Sequence, residues 1–166
     1  MAAWVTVYCS EPVDCIEPGQ VLAGICDADY RTLAELFYEV DEDLVDPALE
    51  RLRIVPSGNN LRLYYRPGGQ RQLEIHRWSD SATVAEEIRE VLDRFEEHSS
   101  RTAEIQSHLP KVQGIVAVEM EWSQLEDMGV VFAYEVARWF AQNCQGLTRD
   151  HWDKWFRTDE SVFVEL

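Results

Sequence analysis

Paired acids and scattered histidines are the residues of this chain that could do chemistry. Glu119 and Glu121 alternate with Val118 and Met120, so they would share one face of a strand. Two carboxylates on one face are the raw material of general acid–base work, but no acid–base partner is evident in the sequence. An exposed strand end accounts for them. Asp27-Ala-Asp29 and Asp41-Glu-Asp43 carry the alternating acids of a cation site. Neither runs on into the glycine and terminal glutamate of a calcium loop, and capping of adjacent helices explains both. His76, His98, His108 and His151 lie far apart, none with a cysteine at ligand spacing. Cys9, Cys15, Cys26 and Cys144 form no Cys-x-x-Cys pair and read as reduced thiols in or near the core. Gly19 and Gly24 have the gap of a phosphate-binding loop but lack its Lys-Ser/Thr. Neither a Gly-x-Ser-x-Gly elbow nor a His-Glu-x-x-His helix occurs. The expectation is a protein without catalytic residues, cofactor or metal.

Charge is the stronger signal. Thirty-one acids against fifteen lysines and arginines give −16. So negative a field repels nucleic acid and anionic membranes and favours a basic partner. The charge is also segregated. Residues 51–78 hold six arginines and one acid, net +5, between segments of net −11 and −10. The arginines are expected either to pair with the acidic helices or to form a second electrostatic face. At about 100° per residue, Glu86, Glu90, Asp93 and Glu97 fall on one helix face, opposite Val84, Ile88, Val91 and Phe95. A row of like charges weakens a helix slightly. A solvated face is the plain explanation; a stripe that binds a partner is the alternative, and these four residues are the candidate site.

The elements that would position this stripe follow from periodicity. Residues 3–9 alternate as a strand. Helical spacing begins at Val21, Leu22 and Ile25 and resumes after Asp29, a cap, with Tyr30, Leu33, Leu36 and Phe37. A helix over about 42–52 would turn Leu44, Val45, Leu49 and Leu52 inward, unless it starts at Pro47 behind Asp46. Leu52–Val55, then Leu61, Leu63 and Tyr65, then Leu73 and Ile75, describe a three-stranded antiparallel meander, with turns at 56–60 and Pro67-Gly68-Gly69. Ser79-Asp80-Ser81 caps the long acidic helix. A helix over 101–109, a strand over 115–120, and a central helix from a capping box at Ser123–Glu126 to about Asn143 follow. Leu147 opens a last strand. The sum is α+β: a single domain, residues 1–166, with a mostly antiparallel sheet and helices packed on it. Leu63, Ile75, Ile88, Phe95, Val118, Phe132 and Val136 are expected in the core.

Two stretches carry a resemblance. Gln20 to Glu35 resembles the early helical segment of small bacterial proteins. Val116 through Trp139 to Gly146-Leu147, with Asp150 and Trp152, resembles the C-terminal part of small acidic immunity proteins of bacterial polymorphic toxin systems. His151 and Lys154 interrupt the acidic turn of that pattern. Together these stretches span about a third of the chain. The resemblance implies a non-catalytic antitoxin that neutralises a cognate toxin by direct binding, its partner a basic toxin domain. The N-terminal Met1–Tyr8 has no basic n-region and no long apolar run, so a cytoplasmic location is expected, with no membrane and no nucleic acid as partner. The alternatives are an interaction or scaffold module and an enzyme with a scattered site. A large polar pocket with converging carboxylates would favour the enzyme.

Overall fold

The computed structural model describes residues 1–67, 72–95 and 100–166. Among them, eight strands form one antiparallel sheet in the order β2-β3-β4-β5-β1-β6-β7-β8. The strands are β1 (Ala2–Cys9), β2 (Arg53–Ser57), β3 (Asn60–Tyr64), β4 (Leu73–Trp78), β5 (Gly114–Glu121), β6 (Gly146–Arg149), β7 (Trp155–Asp159) and β8 (Val162–Glu165). β1 is central, with β5 on one side and β6 on the other. The expected meander is β2–β3–β4, joined to β1 through β5. Its first turn is tighter than the 56–60 expected. Pro56 and Ser57 belong to β2, and Gly58, at φ +61°, opens a two-residue turn that a side chain would strain. β2 is an edge strand, where a proline withholds no ladder hydrogen bond from a neighbour. The Pro67-Gly68-Gly69 turn extends beyond the described residues.

Alternation sorts the two sheet faces. Val5, Val7 and Cys9, with Val116, Val118, Met120, Leu61, Leu63, Leu73 and Ile75, point to one side and are buried. Helix α6 (Met128–Asn143) packs there against β1, β5 and β6. It is buried around most of its circumference because α1 (Pro18–Ile25) and the segment after it cover its other side. Phe132 and Val136 are fully buried within it. On the opposite face, α4 (Ser81–Asp93) and α5 (Ser100–His108) enclose a smaller core of Tyr8, Val84, Ile88, Val91, Ile105, Leu109, Ile115, Leu147 and Trp155. Asp80 caps α4 through the Thr83 backbone N–H. Phe95 lies beyond the end of α4 and is half-buried against Trp155 rather than central. No helix among the described residues is long and apolar enough to cross a membrane.

Several elements depart from the periodicity. Asp29 caps α2 (Tyr30–Thr32) as expected, accepting from the Thr32 N–H. The chain then widens into a π-turn over Leu33–Phe37. The wider winding turns Ala34 inward beside Tyr30 and leaves Leu36 and Phe37 each 69% exposed, against the expected face. Asp41 caps a 3-10 turn, Glu42–Leu44, that leads directly into α3 (Val45–Arg51), with Pro47 inside the first turn. Leu44 is exposed and Val45 and Ala48 supply the buried face. The Ser123–Glu126 capping box does not open α6. The reciprocal pair is Glu121 with Gln124, on a 3-10 turn over Trp122–Glu126, and Asp127 caps α6 through the Gly129 N–H. The single strand expected from Leu147 is three. Asp150 folds the β6–β7 turn by accepting the Trp152 and Lys154 N–H groups, and Glu160 and Ser161 turn β7 into β8 at positive φ.

Among the described residues, no meander arginine pairs with Glu86, Glu90 or Asp93; Arg71 and Glu97 lie outside those residues. Arg62 bonds Glu74 within the meander at 2.7 Å, and Arg66 bonds Asp127. Arg77 donates to the carbonyls of Asn59, Val13 and Ile16. Among the four cysteines, Cys9 and Cys144 are buried, and Cys15 and Cys26 are exposed. The Cys9 thiol hydrogen-bonds the Cys144 sulfur, which together with burial holds Cys9 above its ordinary range. An aromatic disulfide reagent should therefore titrate two thiols per native chain rapidly and all four after unfolding, as read by absorbance. Rapid labelling of all four would contradict the burial.

Candidate functional site

α4 covers only part of its sheet face, and a cleft of about 560 Å³ opens beside it. The sheet register builds its floor. Trp4 stands opposite Glu119, Thr6 opposite Ala117, and Tyr8 opposite Ile115, with Trp78 next in that last row. Ala2, Thr6 and Ala117 are small, so the floor is hollow, and the indoles of Trp4 and Trp78 border it. Trp122, immediately after β5, adds a third indole. Trp4 is 38% and Trp122 47% exposed. Apolar surface gathered into one open patch, unlike isolated exposed residues, marks interaction sites.

The facing wall is α4, with Thr83, Glu86, Glu87 and Glu90. The β6–β7 turn closes one end with Arg149, Asp150, His151 and Asp153. Five carboxylates thus meet one guanidinium. Three of the five already have work within the fold. Glu87 accepts from the Tyr8 hydroxyl at 3.1 Å and lies 3.7 Å from Arg149. Burial pushes the Tyr8 phenol well above its ordinary range, so it remains the donor. Asp150 serves the turn, and Asp153 lies 3.9 Å from Arg149. Glu86 and Glu90 have no hydrogen bond or ion pair among the described residues. They sit one turn apart on exposed helix surface, both facing the cleft.

The four residues of the stripe therefore separate. Glu86 and Glu90 line the cleft. Asp93, at the last turn of α4, is exposed and borders a different depression with Arg89, Leu92 and Pro110. Glu97 lies outside the described residues. Trp4, Trp78, Trp122, Glu87 and Arg149 were not foreseen. Trp4 did carry a signal. It alternates with Val5 and Val7 in β1, so an indole had to emerge on the face opposite the main core.

Beside the floor, Glu119 does have a partner. His76 Nε2 lies 2.8 Å from its carboxylate, and the imidazole sits between Trp4 and Trp78, parallel to the latter within 7°. Glu121, at the strand end, caps the 3-10 turn. Asp29 and Asp41 are caps, and no group of three metal-ligating side chains occurs among the described residues.

His151 responds to acid. The Tyr134 hydroxyl lies 2.8 Å from its Nδ1, and burial raises Tyr134, so the phenol donates and the neutral imidazole accepts. Burial holds His151 below its ordinary 6.5, with Asp150 opposing. The unfolded chain then takes up this proton at higher pH than the folded one. Stability should fall as pH drops below about 6.5, and this loss should level off below the folded value. Urea unfolding across this range should show a shallower decline in His151→Gln; an identical slope in both proteins would contradict the assignment.

Compared with protein-family models, curated proteins and solved structures, the chain matches none.

Proposed function

We propose that this is a non-catalytic binding protein that captures a basic protein partner at the cleft beside α4. One observation carries the reading. Two carboxylates, Glu86 and Glu90, unpaired among the described residues, face three tryptophans, two of them exposed, across an open cleft in a chain of net charge −16. Carboxylates steer a basic surface and fix its register, and exposed indoles supply contact area at the centre of an interface. The partner class that the sequence resemblance implies is a toxin domain, which the protein would occlude in the cytoplasm as an immunity protein.

The test is co-expression with the polypeptide encoded beside this chain. The reading expects that polypeptide to arrest growth alone, to be silenced by this protein, and to form a stoichiometric complex with it. Arrest that persists despite co-expression, with no complex, would reject the reading.

Converging carboxylates in a cleft also suit an enzyme with a scattered site. Binding is the better account because Glu87, Asp150 and Asp153 are engaged within the fold. The two free acids are neighbours on one helix, and three tryptophans stand opposite. Turnover of a substrate that is lost in Glu86→Gln or Glu90→Gln would favour the enzyme instead.

A further inference from the structure

We propose that the cleft is a guanidinium site, taking an arginine side chain of the protein partner between Glu86 and Glu90 on one side and the exposed indoles of Trp4 and Trp122 on the other. The inference rests on the binding function proposed above and names the chemistry that the partner must bring.

Three features of the cleft select this ligand. First, its free charge is negative and paired. Glu86 and Glu90 are separated by one helical turn, and among the described residues nothing in the fold neutralises them. A planar cation with several N–H donors can bond two such carboxylates at once, whereas an ammonium is a point charge. Second, the remaining lining is aromatic and open. Indole faces attract cations, and arginine stacks on them through its flat group as well as through its charge. His76 lies against both Trp4 and Trp78, at 5.3 and 5.6 Å between centroids, yet Trp4 and Trp122 keep more open indole surface than Trp78 does.

Third, the protein already holds one arginine in this way at the same cleft. Arg149 lies 3.7 Å from Glu87, and its guanidinium carbon is 5.7 Å from the Tyr8 ring and 5.9 Å from the Trp155 ring. Carboxylate on one side and aromatic rings on another is the environment that Glu86, Glu90, Trp4 and Trp122 offer unfilled, further along the same wall. The cleft volume of about 560 Å³ exceeds what one side chain fills, so backbone on either side of the arginine has room to approach. An arginine displayed on a partner's loop satisfies all of these features. Nucleic acid and other anions satisfy none.

The probe is a short neutral peptide with one central arginine, compared with the same peptide carrying lysine or citrulline. Indole N–H signals of the labelled protein, assigned by single Trp→Phe replacements, report the position. The arginine peptide should shift the Trp4 and Trp122 signals to saturation. Lysine should bind severalfold more weakly, and citrulline, which keeps the shape without the charge, at least about tenfold more weakly. Glu86→Gln/Glu90→Gln should lower the affinity for the arginine peptide about tenfold with an unchanged melting temperature, since both residues are exposed. Equal binding of citrulline, shifts confined to other tryptophans, or no saturable shift would overturn the guanidinium site. Free arginine amide binding as tightly as the peptide would overturn its assignment to a protein partner. If the peptide fails while a basic partner still binds in a way that charge reversal at 86 and 90 weakens, only the guanidinium site falls. If that partner is indifferent to the reversal as well, the binding function of the cleft falls with it.

Discussion

Phe132→Ala should cost about 3–5 kcal/mol, the usual range for deleting a buried aromatic side chain. Phe132 is fully buried on α6. Its ring meets Tyr30 edge-on at 5.1 Å and Tyr65 at 5.5 Å between centroids. Those two rings come from α2 and from the chain just after β3, so Phe132 ties α6 to both the helical layer and the meander. Neither tyrosine can collapse readily into the space. The Tyr30 hydroxyl is held by the Ile25 carbonyl at 2.7 Å, and that of Tyr65 by Asp127 at 2.8 Å. The melting temperature should fall on the order of 10 °C in a chain of this length. A loss under about 1 kcal/mol in urea unfolding would mean that the core relaxes around the deletion, which close packing argues against.

Asp127→Ala should be nearly as damaging, about 3 kcal/mol, although it removes a smaller and polar group. Asp127 accepts from the Gly129 N–H at 2.7 Å as the cap of α6, from the Tyr65 hydroxyl at 2.8 Å, and from Arg66 Nε at 2.8 Å. Its side chain is 16% exposed and that of Arg66 24%. Alanine would uncap the central helix, worth about 1 kcal/mol, and strand a partly buried guanidinium, the larger penalty. Asp127→Asn keeps an oxygen for Gly129 and Tyr65, so it should lose only about 1–2 kcal/mol. Equal losses in the two variants would show that charge on Arg66, not the cap, sets the whole effect.

The α+β class, the meander and the long acidic helix were legible because each rests on local periodicity. Leu61, Leu63, Leu73 and Ile75 alternate cleanly and are buried as expected. Glu86 and Glu90 were legible as a pair for the same reason. What they face was not, because Trp4, Trp78 and Trp122 come together only through the β1–β5–β4 register, across more than a hundred residues of chain. Leu36 and Phe37 were misplaced because a π-turn does not keep the 3.6-residue period on which the inward face was counted. β7 and β8 were missed because their turns lack the expected punctuation. Asp153, Glu160 and Ser161 take positive φ where a glycine or asparagine would have signalled a turn.

Binding at the cleft is tested most directly by association kinetics with the purified polypeptide encoded beside this chain, at low and high salt. Three proteins suffice: wild type, Glu86→Lys/Glu90→Lys, and Asp93→Lys. Exposed charges are screened over about 8 Å at physiological ionic strength, so the wild-type rate should fall as salt rises. The double reversal inside the cleft should slow association by about tenfold or more at low salt and flatten the salt dependence. Asp93→Lys, on the same helix but outside the cleft, should change the rate much less. A complex that forms at the same rate with all three proteins, in both salts, would contradict the cleft as the binding surface.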